Sequence, residues 1–311
     1  REGIAALYGE WYGLDVDPGR IVLTAGASGA FILAFTALFD AGAKVALGEP
    51  CYPSYRQILS ALSLEPVGLQ TNLATRFQPT PDHLSKDLDG LIVASPANPT
   101  GTMLSHLELE ALAQTCAAQD IAVISDEIYH GLQYGGRAVS ALEVTDDVYV
   151  INSFSKYFSM TGWRLGWMVV PPDHVRVVER LAQNMFICPP HAAQVAALGA
   201  LSSEGRAEMD RHRDTYAVNR QIVLDGLAAA GITDTAPADG AFYVYADVSA
   251  FTDDARVFAA EILEQAGVAV TPGLDFDKSR GHGTLRFSYA GPTARMEEGM
   301  ARLQAFMARR G

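Results

Sequence analysis

The 311-residue sequence contains few cysteines, and none of them are paired at metal-binding or redox spacing. Cys51, Cys116 and Cys188 are scattered along the chain. A disulfide-stabilised secreted domain has a denser set of cysteines, and a structural zinc site needs clustered ligands. We therefore expect no disulfide framework and no metal, and we expect a reducing compartment, the cytoplasm.

Basic residues are also scarce, because 23 Lys and Arg stand against 36 Asp and Glu, for a formal net charge of −13. This balance argues against nucleic acid or an anionic membrane surface as the main partner. No apolar run reaches the roughly 18 residues of a membrane span. A small anionic ligand is still compatible with the sequence, because arginines and helix N-termini create local positive sites.

Short apolar runs alternate with helical patterns over about two thirds of the sequence. The runs typical of strands are residues 21–24, 44–47, 64–69, 90–94, 121–124, 148–151 and 165–170. Such alternation is typical of an α/β fold with a mostly parallel sheet covered by helices.

The pattern changes after a long predicted helix at 203–230. Further strands are predicted at 242–248, 268–270 and 284–288, with helices between and after them. The length also suits about two domains. We therefore predict a large domain at 1–210 and a smaller α+β domain at 211–311.

A lysine follows the strand predicted at 148–151, and hydroxyl and guanidinium groups that could bind an anion lie near it in the sequence. Ser153 and Ser155 precede Lys156, and Arg164 lies eight residues beyond it. The amine could form a Schiff base with a phosphorylated aldehyde, while the hydroxyls and the guanidinium hold the phosphate. A lone S-x-S-K is more often structural, so this interpretation depends on other residues.

Further polar or aromatic candidates stand where other predicted strands end. A small-residue turn around Ala27 and Ser28 precedes a helix and could bind phosphate through free N–H groups, although such turns often serve packing. Tyr52 lies between two prolines and could stack on a flat ring or simply pack in its loop. Ligands in open α/β sheets bind at this carboxyl edge.

Three more candidates complete this set. Asn98 lies in the rigid turn S-P-A-N-P-T-G, whose X-Pro bonds are candidates for the cis form. Asp126 follows a buried run, where a carboxylate needs a cationic partner, although an acid there often caps a helix. Arg286 lies in T-L-R-F-S-Y and could clamp a carboxylate with two hydrogen bonds, or form an ordinary ion pair.

In order and together, these motifs resemble the fold-type I pyridoxal-phosphate (PLP) enzymes, specifically the aspartate aminotransferase-like class I/II aminotransferases. The resemblance covers nearly the whole chain and implies the PLP-dependent transferase fold, with a seven-stranded type of sheet. It rests on T-A-G-A-S at 24–28, P-C-Y-P at 50–53, N-P-T-G at 98–101, S-D-E-I-Y at 125–129 and S-F-S-K-Y-F-S-M-T-G-W-R-L-G-W at 153–167.

The resemblance also implies residue roles. Lys156 would form the Schiff base with PLP and then move a proton, and Asp126 would keep the pyridine nitrogen protonated. Tyr129 and Asn98 would hydrogen-bond the phenolic oxygen of the cofactor. Tyr52 would stack on the ring, and Arg286, assisted by Asn98, would bind the substrate α-carboxylate. The phosphate would be held by Ala27 through its backbone N–H, and by Ser28, Ser153, Ser155 and Arg164.

The implied activity is transfer of an amino group from an amino acid to a 2-oxo acid. Two alternatives stay open: a PLP-dependent C–S β-lyase on the same scaffold, and a non-catalytic ligand-sensing domain. The sequence does not identify the amino donor or the acceptor. The family further implies a homodimer and an N-terminal segment that would precede the position of Arg1 and is missing from this sequence.

Overall fold

A seven-stranded sheet organises the first part of the chain in the computed structural model, which describes residues 1–310. The strands lie in the order β1-β7-β6-β5-β4-β2-β3. The five strands from β6 to β3 are parallel, whereas β7 runs antiparallel to both β6 and β1. The predicted mostly parallel sheet is therefore confirmed. Its strands are β1 (Ile21–Thr24), β2 (Lys44–Glu49), β3 (Glu65–Gln70), β4 (Gly90–Ala94), β5 (Ala122–Asp126), β6 (Tyr149–Ser153) and β7 (Gly166–Val169).

Helices cover both faces of this sheet. Successive strand residues point to opposite faces, so Val150 joins one apolar core and Ile151 the other. The first core packs against α1, α4 and α6, and the second against α2, α3 and α5. The helices are α1 (Glu2–Tyr12), α2 (Gly26–Leu38), α3 (Pro53–Ala61), α4 (His106–Gln119), α5 (Val175–Met185), α6 (His191–Leu201) and α7 (Ser203–Ala229).

A second, three-stranded antiparallel sheet lies in the last part of the chain, in the order β8-β10-β9. Its elements are β8 (Tyr243–Asp247), α8 (Ala255–Ala266), β9 (Thr271–Pro272), β10 (Thr284–Ser288) and α9 (Thr293–Ala308). A third apolar core joins it to α7, α8 and α9. The predicted domain boundary at residue 210 falls within α7, and the division stays a prediction.

The strand predicted at 268–270 is wrong. The strand in this region is the short β9, while Val268 and Val270 lie outside it and pack against the third apolar core. Their apolar alternation reflects this packing rather than pairing with another strand. Helix α2 begins at Gly26, so the small-residue turn around Ala27 and Ser28, which was predicted to precede a helix, is the first turn of the helix itself.

The carboxyl ends of β1, β2, β4, β5 and β6 lie along one edge of the large sheet, and the antiparallel β7 starts there. The loops that leave these strands therefore meet at this edge, as expected for a parallel sheet. In the described residues, no helix is long and apolar enough to cross a membrane.

Candidate active site

A cavity lies at this edge, between the large sheet and the small one. Its lining includes every predicted site residue except Ser153. The predicted residues in its wall are Ala27, Ser28, Tyr52, Asn98, Asp126, Tyr129, Ser155, Lys156, Arg164 and Arg286. They come from the ends of β1, β2, β4, β5 and β6, from the loop before β7, and from β10.

Lys156 projects its amine into an aromatic part of the cavity. Its Nζ lies 5.6 Å from the centre of the Tyr129 ring and 5.4 Å from that of Phe242. Burial lowers the pKa of this amine, and the charge of Arg286 lowers it further, whereas Asp126 raises it. A lowered pKa increases the fraction of neutral amine, which is the nucleophilic and basic form.

Asp126 is the last residue of β5 and is 4% exposed. It accepts hydrogen bonds from the Tyr55 hydroxyl and, at 3.1 Å, from the Ile128 backbone N–H. Burial raises the pKa of the carboxyl to about 6, although these two donors and the charge of Lys156 act in the opposite direction. A carboxylate in this position is suited to a cationic ligand that replaces its lost hydration.

The N-terminus of α2 and Arg164 form a positive site at one end of the cavity. Ala25 caps α2 without a side-chain hydrogen bond, so first-turn N–H groups can bind an anion. A Cβ atom on Gly26, which has φ 73°, would lie 2.7 Å from Nη2 of Arg164. Glycine thus allows the guanidinium to lie against the helix end, where two positive groups face one space.

Ser153 does not line the cavity. It is 1% exposed, and its Oγ lies 2.9 Å from Oγ of Ser155 and 3.0 Å from the Leu165 carbonyl oxygen. The same Oγ accepts the backbone N–H of Ser155 at 3.1 Å. The Ser153 hydroxyl therefore orients Ser155, and Ser155 is the serine that faces the cavity.

Arg286 and Asn98 meet in the wall of the same cavity. Nη1 of Arg286 donates to Oδ1 of Asn98 at 2.7 Å, and Nη2 lies 3.3 Å from Oγ1 of Thr271. Nε of Arg286 is buried and has no hydrogen-bond partner among the described residues. Because Asn98 accepts through Oδ1, its amide N–H groups stay available to a ligand. A carboxylate would complete this arrangement.

Sequence reasoning missed two tyrosines of the wall, Tyr55 and Tyr243. Tyr55 lies in α3, three residues after the N-cap Tyr52. This helical spacing could have placed both rings on one side of the helix, and their centroids are 5.5 Å apart. Tyr243 lies in β8, far from the other wall residues in sequence, and no local pattern distinguishes it from its neighbour Tyr245.

Comparison with known proteins agrees with this geometry. Residues 1–303 match the family described as aminotransferase class I and II. The valine–pyruvate aminotransferase of Mycobacterium tuberculosis is 49% identical, over 99% of this chain and 80% of that protein. The aspartate/prephenate aminotransferase of Thermus thermophilus is 33% identical, over 99% of this chain and 81% of that protein.

Solved structures give the same result. A Silicibacter pomeroyi protein described as a candidate aminotransferase has a TM-score of 0.97 and 65% identity, over 99% of this chain and 83% of that one. The structure of an aminotransferase from Mycobacterium tuberculosis has a TM-score of 0.97 and 48% identity, over 99% of this chain and 81% of that one. These matches show that the chain belongs to the class I and II aminotransferases, the enzymes that move an amino group to a 2-oxo acid.

Proposed function

We propose that this cavity binds PLP and that the chain uses it to transfer the amino group of a neutral amino acid to a 2-oxo acid. One observation carries the proposal: a desolvated amine, a buried carboxylate and a stacked arginine face one cavity. The positive end formed by α2 and Arg164 fits a phosphate, and the buried Asp126 fits a pyridinium nitrogen.

Each residue then has a defined part in holding the cofactor. The N–H of Ala27, with Ser28, Ser155 and Arg164, binds the phosphate, and Ser153 supports Ser155. Tyr52, whose side chain is partly open to solvent, covers one face of the ring. Asp126 holds a proton on the ring nitrogen, and Tyr129 and Asn98 bind the phenolic oxygen. Lys156 holds the cofactor covalently through its amine.

Bound PLP supplies an aldehyde for amines and a cationic ring that withdraws electrons from the substrate Cα. The chain supplies orientation and proton transfer. Arg286 and Asn98 fix the substrate α-carboxylate, which places the Cα hydrogen in the same cavity as Lys156. Once the substrate amine has displaced it from the cofactor, the free Lys156 amine, with its lowered pKa, would remove that proton and return one during amino transfer.

A neutral donor is supported by the charges of the cavity. Its described lining contains Lys156, Arg164 and Arg286 as cations, and each already has a role. An acidic side chain on the donor would lack a further cation among these residues. The M. tuberculosis relative that is 49% identical is named a valine–pyruvate aminotransferase, which is consistent with an aliphatic donor.

We also infer a homodimer, a cytoplasmic location, and the division into domains at 1–210 and 211–311. Exposed apolar side chains in and between α5 and α6, namely Met185, Ile187, Val195 and Leu198, are consistent with a surface covered by a second copy. The three free cysteines are consistent with a reducing compartment. The separate cores of the two sheets support the two domains.

The test is a visible absorption spectrum of the protein with PLP, followed by L-valine and then pyruvate. We expect a band that changes with valine and returns with pyruvate. Lys156→Ala should abolish the protein-bound band and lower turnover by at least about a thousandfold. Lys86→Ala, at an exposed lysine, is the matched control and should behave as wild type.

Two outcomes would contradict the proposal. One is a variant without Lys156 that keeps the band and the turnover. The other is release of ammonia and pyruvate from cysteine without an added 2-oxo acid, at a rate above that of amino transfer, which would indicate a β-lyase.

A further inference from the structure

Tyr243 contacts both Tyr129 and Arg286, although it has no assigned role in binding the cofactor or the substrate. It is 5% exposed and lies at the start of β8. Its hydroxyl oxygen is 3.0 Å from that of Tyr129. Its ring lies under Arg286, with 4.2 Å between the guanidinium carbon and the ring centre.

We propose that Tyr243 is a positioning residue that fixes the Tyr129 hydroxyl and the Arg286 guanidinium relative to each other. The proposal rests on the proposed function, which assigns Tyr129 to the cofactor and Arg286 to the substrate carboxylate. Tyr243 would thus keep the substrate carboxylate site at a fixed position relative to the cofactor site.

The hydroxyl contact has a defined direction once Tyr129 binds the cofactor oxygen. A tyrosine hydroxyl has one hydrogen, so a Tyr129 that donates to that oxygen can only accept from Tyr243. A group that accepts one hydrogen bond becomes a stronger donor in the next. Tyr243 therefore both orients the Tyr129 hydroxyl and strengthens its bond to the cofactor oxygen.

The ring contact fixes the plane of the guanidinium. Arg286 lies between Tyr243 and Phe276, whose ring centre is 4.6 Å from the guanidinium carbon. These cation–π contacts use the faces of the guanidinium and leave the N–H groups at its edge for hydrogen bonds. The guanidinium thus stays oriented toward Asn98 and toward a carboxylate in the cavity.

The register of the small sheet determines this arrangement. In the antiparallel pair of β8 and β10, Arg286 lies opposite Tyr245, and Tyr243 is two residues before Tyr245 in β8. Such diagonal neighbours lie on one face of a sheet and can touch when their side chains are long. Tyr129, by contrast, follows β5 of the large sheet. Tyr243 therefore links the two sheets at the cavity.

The experiment separates the hydroxyl from the ring. The variants are Tyr243→Phe, which keeps the ring, Tyr243→Leu, which removes both contacts, and Phe276→Leu, which removes the other ring. Tyr245→Phe is the matched control, because it removes a buried hydroxyl from the same strand, one that bonds to Thr284.

Three quantities are measured on the PLP-loaded protein. They are kcat, the pH midpoint of the visible absorption change, and the Kd of 3-methylbutanoate, a carboxylate without an amino group, by calorimetry. Tyr243→Phe should raise the midpoint by about half a unit and lower kcat about fivefold, with Kd within about twofold. Tyr243→Leu should in addition weaken carboxylate binding about tenfold.

The other variants complete the pattern. Phe276→Leu should weaken carboxylate binding but leave the pH midpoint of the absorption change at the wild-type value. Tyr245→Phe should change neither the carboxylate Kd nor this pH midpoint. A Tyr243→Phe protein with wild-type midpoint and kcat would overturn the hydroxyl contact, and a folded Tyr243→Leu protein with wild-type Kd would overturn the ring contact.

A wild-type protein that shows no visible band with PLP would instead reject the proposed function. In that case the Kd of 3-methylbutanoate for the protein without PLP still tests the ring contact, because Arg286 and both rings belong to the chain itself.

Discussion

Asp126 and Glu127 are consecutive buried carboxylates, yet they lie in two different regions. Asp126 faces the cavity, whereas Glu127 is 1% exposed and lies among polar groups away from it. Glu127 accepts hydrogen bonds from the Ala141 N–H at 2.7 Å and from the hydroxyls of Ser140 and Ser125. Burial raises the pKa of its carboxyl to about 8, although these donors act against the rise.

The histidine beside Glu127 does not supply a counter-charge. Nδ1 of His130 lies 3.5 Å from a Glu127 oxygen, but burial lowers the pKa of His130 to about 4, so the ring is neutral near pH 7. Its Nε2–H donates to the Ser95 carbonyl oxygen at 2.8 Å, and its Nδ1 accepts from the Tyr12 hydroxyl at 2.5 Å. This contact is therefore not an ion pair.

A strongly shifted pKa therefore does not by itself identify a functional residue. Glu127 has the larger shift, but protein groups already bind its oxygens, and it is not part of the lining of the cavity that Asp126 faces. Asp126 has fewer protein donors and opens onto space where a cationic ligand can bind. Access and unfilled partner positions distinguish the region around Asp126, which we propose is catalytic, from the structural region around Glu127.

The largest expected difference between the two regions is in turnover. Asp126→Asn should lower kcat by about 100- to 1,000-fold, because the ring nitrogen loses the carboxylate that keeps it protonated. Glu127→Gln should keep kcat within about threefold. The measurement is amino transfer from L-valine to pyruvate at saturating PLP. Equal losses in the two variants would contradict the division into two regions.

The next difference is in the pH dependence of stability. The pKa of Glu127 is raised from 4.5 to about 8, so the folded state holds a proton that the unfolded state releases in this range. The contribution of Glu127 to stability should therefore fall as pH rises from about 4.5 to 8. Glu127→Gln removes this titration and should gain about 4 kcal/mol over wild type at pH 8.5 relative to pH 4.5.

Urea unfolding at several pH values measures this effect. Glu264→Gln, at an exposed carboxylate, is the control and should keep the wild-type pH dependence. A Glu127→Gln protein whose unfolding free energy varies with pH as the wild type does would show that Glu127 is not the group that titrates.

The smallest expected difference concerns the partners of the two carboxylates. Tyr55→Phe removes a donor to Asp126, so kcat should fall about threefold to tenfold, because a lost donor to a charged group weakens the position of the carboxylate. Ser140→Ala removes a donor to Glu127 and should lower the unfolding free energy by about 1–2 kcal/mol with kcat unchanged. Both quantities are measured for both variants, and a reversed pattern would break the comparison.

Much of the cavity could be predicted because its residues stand at strand ends. Asp126 ends one parallel strand, Asn98 and Lys156 follow two others, and parallel strands end at one edge. The cap of α4 is also a local feature of the sequence: Ser105 and Glu108 have the S-x-x-E spacing of a capping box, and they form one. Ser95–Pro96 and Asn98–Pro99 are cis, as the proline-rich turn indicated.

The rest depended on contacts between distant parts of the chain. The residues around Glu127 include Ser140 and Ala141, and those around Arg286 include Asn98 and Tyr243. Even Ser153, the first residue of the motif at 153–167, turns away from the cavity, because its hydroxyl bonds within its own loop and to Leu165. Local patterns do not encode such orientations.

The sheet, the family and the chemical groups at the strand ends could be predicted from sequence, because apolar periodicity and motif order are local properties of a chain. Which buried acid faces the cavity, which tyrosines support it, and how the small sheet presents Arg286 became apparent only in the folded chain. These features depend on packing and strand register between segments up to 188 residues apart, such as the bond between Arg286 and Asn98. Burial, hydrogen-bond partners and access exist only once those segments meet.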